Sequence, residues 1–110
     1  MSPMSAAAFH VLLALSSQDL HGYGIIQEIA RHSDGHYRPG PGTLYDNLKK
    51  LMESGLVADA PKSAMPEDEE RRFYTLTEDG RSALAVEVNR LQKVVREARS
   101  RLREVRPKRV

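Results

Sequence analysis

The stretch Pro39-Gly40-Pro41-Gly42-Thr43-Leu44-Tyr45 decides how the rest of this chain is read. Pro41 suits the first position of a helix, where its missing N–H costs nothing. Gly40 and Gly42 carry no side chains, so the backbone beside them can approach a partner closely. Thr43 and Tyr45 set hydroxyls next to unpaired N–H groups at the positive end of the helix dipole, and such an end attracts phosphate. Leu44, Leu48 and Leu51 follow at i, i+4 and i+7, which predicts a helix over 41–54 anchored by its opposite face. A helix held along one stripe, with a bare polar N-terminus, has the form a reader of a DNA groove needs.

Working outward, Ser5 to Ser16 reads as a helix with Ser5 as N-cap and Phe9, Leu12, Leu13 and Leu15 as its apolar residues. Gln18-Asp19-Leu20 reads as a turn. His21 to His32 reads as a second helix with Tyr23, Ile26, Ile29 and Ala30 on one side. Gly22 and Gly24 weaken that helix intrinsically, which suggests that they permit close packing. Gly35 and Gly55 serve as stops after the second and third helices. Leu56 to Ala58 and Arg72 to Leu76 read as strands flanking a polar loop, and Thr77 caps a final helix. The expected fold is therefore mainly α with a small two-stranded β-wing: a winged helix-turn-helix over residues 1–77, then a dimerisation helix and basic tail over 78–110.

The final helix carries Leu84, Val88, Leu91, Val95, Ala98, Leu102 and Val105 at alternating spacings of four and three, an apolar heptad seam. At 1.5 Å per residue such a helix runs to roughly 40 Å, more than a small domain covers. The seam predicts pairing with a second copy, and Val94 widens the stripe. Charge is divided unevenly. Residues 81–110 hold ten basic and three acidic residues, so they carry +7 of a chain whose net charge is +2, leaving −5 for residues 1–80. This asymmetry reads either as a polyanion-binding segment or as a solvated helix face.

In this order, several segments resemble the PadR family of bacterial transcriptional regulators. They are Leu12-Leu13-Ala14-Leu15, His21-Gly22-Tyr23-Gly24, Pro41-Gly42-Thr43-Leu44-Tyr45, Gly55-Leu56-Val57 and Tyr74-Thr75-Leu76-Thr77-Glu78-Asp79-Gly80. The resemblance covers nearly all of residues 9–80 and matches the family's compact branch. It implies a homodimeric winged-helix repressor bound to double-stranded DNA at an inverted repeat, with the 41–54 helix in the major groove. It assigns Gly42, Thr43 and Tyr45 to DNA, and Tyr23 to phosphate or to packing between helices. Lys49 and Lys50 on the outward arc are expected on phosphates. Asp46 reads as an acceptor for a cytosine amino group or as a helix-surface acid. The wing departs from the family's basic tips, since Glu67-Asp68-Glu69-Glu70 precede Arg71-Arg72 and phosphates repel acids. Either the tip turns away and only Arg71 or Arg72 touches DNA, or the wing contributes little, or the acids pair with the basic terminal helix in the free protein. Some compact relatives bind flat ligands between subunits, so a small-molecule effector is implied, although the seam has no aromatic residue for stacking.

Other chemistry is excluded or weak. The chain has no cysteine, hence no disulfide or thiolate zinc site. His32 and His36 have helical metal-pair spacing, but Gly35 lies between them and no companion carboxylates follow, so no metal is expected. No nucleophilic triad or phosphate loop is present, which gives no catalytic residues, no cofactor and no enzyme. No apolar stretch reaches membrane-spanning length and no signal layout opens the chain, so the expected location is cytoplasmic, away from membranes. The competing readings are a winged-helix protein-interaction module, favoured by the acidic wing, and a DNA-binding module without sequence preference, favoured by the basic last helix.

Overall fold

The computed structural model describes residues 4–61 and 71–104 of the chain. Helix α1 spans Ala6–Ala14 and α2 spans Gly22–His32; strand β1, Leu20–His21, lies between them. Helix α3 spans Pro41–Glu53, β2 spans Val57–Asp59, β3 spans Phe73–Leu76 and α4 spans Glu78–Arg103. Ser5 caps α1 by accepting from the Ala8 amide at 3.1 Å. Gly35 and Gly55 both sit at φ +78°, the left-handed geometry that turns the chain sharply after α2 and α3.

One difference from the sequence reading concerns the sheet. It has three antiparallel strands in the order β1-β3-β2 rather than two. Leu20 pairs with Tyr74 and His21 with Phe73, so Leu20 is strand rather than turn and His21 precedes α2 instead of opening it. A two-residue strand is too short to show alternation, and only its partner reveals it. On the other side of β3, Val57 pairs with Leu76 and Asp59 with Tyr74.

The core is built from one stripe of each helix. Val11, Leu12 and Leu15 of the first helical segment meet Ile25, Ile26 and Ile29 of α2 and Leu44, Leu48 and Leu51 of α3. Val57 and Tyr74 close it from the sheet, and Leu84 from α4. Each such side chain contributes about 1.5–3 kcal/mol on full burial. The inward face of α2 therefore runs through Ile25, Ile26 and Ile29, and Tyr23 stands outside it, 58% exposed.

Thr77 joins α4 to this core. Its hydroxyl accepts from the Gly80 amide at 2.9 Å and donates to the Gly55 carbonyl at 2.7 Å. Glu78 and Asp79 add negative charge at the positive end of the helix. Gly80 is buried where no side chain fits: an added Cβ would overlap the Leu56 carbonyl oxygen and lie 2.7 Å from Leu76 Cδ1. Arg81 donates to the Ser16 carbonyl at 3.0 Å, tying α4 to the end of the first helical segment.

Beyond its first turns, α4 leaves the core. Leu84, expected in the seam, is instead buried against its own chain, and Leu91 is half-buried. Val88, Val94, Val95, Ala98 and Leu102 are exposed, Leu102 at 85%. Val105 lies outside the described residues. The described residues measure 67 × 28 × 22 Å, with the long axis set by this projecting helix.

Candidate nucleic-acid interface

The surface around the start of α3 follows directly from how that helix is packed. Leu44, Leu48 and Leu51 are buried, which turns Pro41, Gly42, Thr43, Tyr45, Asp46, Lys49 and Lys50 outward. Gly40 is the N-cap residue and supplies no side-chain cap, so the first-turn amides are left for an outside acceptor. The space around Gly40 and Gly42 is open, with no atom within 4 Å of where a Cβ would stand. Lys50 pairs with Asp46 at 3.3 Å on the solvent side. Asp46 thus has a partner on its own helix, which fits the helix-surface role. Asn47, not singled out from sequence, ties its side chain to the Thr43 carbonyl at 2.9 Å and stiffens the exposed turn.

Tyr45 leans across to the start of α2. Its hydroxyl rests on Gly22, where an added Cβ would overlap Oη and lie 2.9 Å from Cζ. Gly22 is therefore the floor under the Tyr45 ring tip, and this explains a glycine at the first position of α2. Gly24 has a related reason, since a Cβ there would press on the Leu20 and His21 side chains at 3.3–3.4 Å. The sequence reading that these glycines allow close packing is matched at both positions.

His21 is the pivot of this region. Its Nδ1 accepts from the Gly24 amide at 3.0 Å and so caps α2. Its ring meets Phe73 edge to face, with centroids 5.2 Å apart. Arg71 brings Nη1 to within 3.0 Å of His21 Nε2. Together His21, Gly22, Tyr23, Tyr45, Arg71, Arg72 and Tyr74 line a groove of about 580 Å³ between α2, α3 and the base of the wing. No carboxylate is among its described lining residues.

Arg72 is committed differently from Arg71. It grips Asp59 across the strand pair through two bonds of 2.6 and 3.2 Å, and its guanidinium lies over the Tyr74 ring at 5.3 Å. The bond from Arg72 holds the Asp59 carboxyl below its ordinary range, while burial pushes the Tyr74 phenol up. This anchors the wing at its base and already neutralises Arg72. The acidic run Glu67 to Glu70 lies outside the described residues.

The fold that sets the start of α3 beside α2 and the base of the wing is shared with known proteins. Residues 11–86 match the transcriptional regulator PadR-like family. The chain belongs to this family. The transcriptional regulator Rv3488 of Mycobacterium tuberculosis is 33% identical over 93 residues, covering 84% of this chain and 82% of that protein. A PadR family transcription regulator from Clostridium difficile superposes with a TM-score of 0.71 at 18% identity, over 89% of this chain and 99% of its own. Bacillus subtilis PadR, solved in complex with operator DNA, superposes with a TM-score of 0.59 at 20% identity, over 99% of this chain and 53% of its own. As a PadR-family protein the chain is a transcriptional regulator, not an enzyme.

Within this PadR-family surface, the structure brings Tyr23, Tyr45, Arg71 and Arg72 to one groove and sets Gly42 and Thr43 at the adjacent helix start. Lys49 and Lys50 are exposed further along α3. His21 caps α2 with one ring nitrogen, and its second nitrogen faces the groove. His32, considered with His36 as a metal pair, instead meets His10 of α1 at 2.9 Å. No group of three metal-ligating side chains occurs among the described residues. None of the described helices is long and apolar enough to cross a membrane.

Proposed function

We propose that this PadR-family regulator is a homodimeric repressor that reads an inverted-repeat operator with α3, residues 1–77 forming the reading unit and 78–110 the pairing helix and basic tail. The observation that carries the reading is the start of α3: uncapped amides, open space over Gly40 and Gly42, and Thr43 and Tyr45 outward on a helix whose other face is core. Thr43 and Tyr45 take phosphate or base-edge contacts, Tyr23 a phosphate, and Lys49 and Lys50 phosphates. The exposed stripe Val88-Val95-Leu102, with Val94 and Ala98 beside it, supports pairing, because apolar side chains at heptad spacing bury against a second helix. A two-fold pair sets two reading helices one or more DNA turns apart.

Selection of bound duplexes from a random pool tests this directly. Recovered sites should show inverted symmetry, and a pool enriched only in asymmetric sites defeats the dimer-on-palindrome reading. A reporter behind the selected site should rise when the regulator is removed; a fall would make it an activator. A screen for small molecules that release the selected duplex tests effector control. The exposed α4 stripe has no aromatic side chain, so flat stacking ligands should not dominate the hits.

A further inference from the structure

His10 of α1 and His32, the last residue of α2, meet ring to ring. Nδ1 of His10 lies 2.9 Å from Nε2 of His32, and the rings are within 13° of parallel with centroids 5.1 Å apart. Two ring nitrogens at this distance share one proton, so that one donates and the other accepts. The contact therefore survives with both rings neutral or with one charged. It cannot survive with both charged, because each facing nitrogen would carry an N–H and the two cations would repel. Falling pH works against the pair at its second proton.

The surroundings do little to compensate that charge. Both rings are partly buried, and burial lowers both pKa values from the ordinary 6.5. On α2, Glu28 raises the value of His32 and Arg31 lowers it, and Arg31 holds both oxygens of the Glu28 carboxylate. Helix α1 has no other titratable side chain. In the segment after α2, the exposed His36 turns Nδ1 to the Ser33 carbonyl at 3.0 Å, and Arg38 is exposed. Among the described residues, no charged group of α3 or α4 bears on either ring.

Both histidines bear on Tyr37. Its ring lies 5.1 Å from the His10 ring, and its backbone is locked to the hydroxyl of Ser33, the neighbour of His32, by two bonds of 3.1 Å. From Tyr37 the chain reaches α3 through Arg38-Pro39-Gly40-Pro41. Pro39 is buried, and the two prolines fix their own φ and restrict the residues before them. So stiff a run carries a shift of Tyr37 to Gly40 and the uncapped first turn of α3 instead of absorbing it. We propose that the His10–His32 pair is a proton-sensitive latch on the reading helix: closed, it sets the start of α3 for DNA; doubly protonated, it opens, and duplex binding weakens. The inference rests on the DNA-binding reading above and adds regulation by pH to it.

The sign of the pH effect is diagnostic. Histidines that merely gain charge strengthen binding to a polyanion as pH falls. Opening of the latch does the reverse, and one proton excluded from the bound state gives a limiting slope of about one decade of affinity per pH unit. Affinity for the selected duplex, by fluorescence anisotropy at fixed ionic strength, should weaken by about threefold or more between pH 7.5 and 5.5, at a temperature where circular dichroism reports a folded protein. His32→Gln keeps an amide that can hydrogen-bond His10 but takes no proton, and should abolish the weakening. His36→Gln should retain it, and so should His21→Asn, in which asparagine takes over the cap of α2. Each variant is read as its own ratio of affinities at the two pH values. Nitrogen-15 NMR of the wild type needs no variant to fold: the amide signals of Tyr37, Gly40, Gly42 and Thr43 should shift together with the second imidazole step. Amide signals that ignore that step, binding that holds steady or strengthens in acid, a folded His32→Gln protein that still weakens, or loss of the effect in His21→Asn overturns the inference and leaves DNA binding intact. A wild-type protein that selects no duplex at pH 7.5 overturns both.

Discussion

Replacing Gly22 with alanine should separate binding from stability. The added Cβ would lie 2.9 Å from Tyr45 Cζ and closer still to its hydroxyl. Carbon atoms rest at about 3.5–4.0 Å, so the ring must move by on the order of 1 Å. It can do so cheaply, because Tyr45 is 51% exposed and leads into solvent. Against this small cost stands the gain of alanine over glycine at a helical position, at most about 1 kcal/mol and less at the first residue. The fold should therefore be unchanged or slightly more stable, with a melting temperature within about 5 °C of wild type. DNA affinity should fall by roughly tenfold, the loss expected when one hydrogen bond to a charged acceptor is misplaced.

The assay is thermal denaturation in parallel with duplex binding by fluorescence anisotropy at one fixed salt concentration. The control is the same substitution at Gly80. There the added Cβ would overlap the Leu56 carbonyl and press on Leu76, and a backbone atom inside the core cannot swing aside. Gly80→Ala should cost about 3 kcal/mol or more, at the upper end of overpacking effects. Unchanged duplex affinity in a stable Gly22→Ala protein would refute the claim that the Tyr45 position matters for binding. A melting temperature as low as that of Gly80→Ala would refute the claim that Tyr45 yields.

Further expectations concern the cap, the histidine pair and the projecting helix. Thr77→Ala removes the acceptor for Gly80 N–H and the donor to Gly55, and should destabilise by about 1–2 kcal/mol in urea melts; Thr77→Ser should recover most of it. Burial lowers the pKa of His10 and, first among its causes, that of His32, with the neighbouring His10 lowering His32 further. Both bind protons more weakly folded than unfolded, so their stability contribution is complete above the ordinary value of 6.5 and is lost as pH falls through the folded values. Melting temperature should drop between pH 7.5 and 5.5, and His32→Gln should flatten that dependence. Val95→Glu combined with Leu102→Glu should halve the mass measured by light scattering while circular dichroism keeps its helical shape, since these side chains touch no core.

Much of the fold was legible because its signals are local. Leu44, Leu48 and Leu51 state their period, Gly55 states a left-handed turn, and Thr77 states a cap, each within a few residues. Features that depend on distant partners were not legible. Strand β1 exists because Tyr74 and Phe73 lie opposite it, more than fifty residues away. Leu84 sits in perfect register with the heptad seam, yet the core claims it, because α4 starts against Leu56 and α1 and leaves the domain only later. Periodicity tells which side of a helix is apolar, not which neighbour covers it. Tyr23 fails in the opposite sense, since its spacing places it with Ile26 while the first turn of α2 projects it into the groove. His10 and His32 meet only through the packing of α1 on α2.

The charge distribution and the groove chemistry together fix how recognition is divided. Residues 1–80 are net negative by five and residues 81–110 net positive by seven, although the surface proposed for DNA belongs to the first part. Long-range attraction must then come from the basic last helix, where Lys93, Arg96, Arg99 and Arg103 are exposed. Near the reading surface, by contrast, two of the cations are already paired: Arg72 with Asp59 and Lys50 with Asp46. Much of what that surface offers is directional, namely amides without a cap and tyrosine hydroxyls. Directional neutral donors lose little to screening, whereas the field of the helix decays over about 10 Å at 0.1 M salt. Raising salt should therefore slow association far more than it speeds dissociation. Equal changes in both rates, followed by stopped-flow anisotropy, would mean that the groove itself binds DNA mainly by charge.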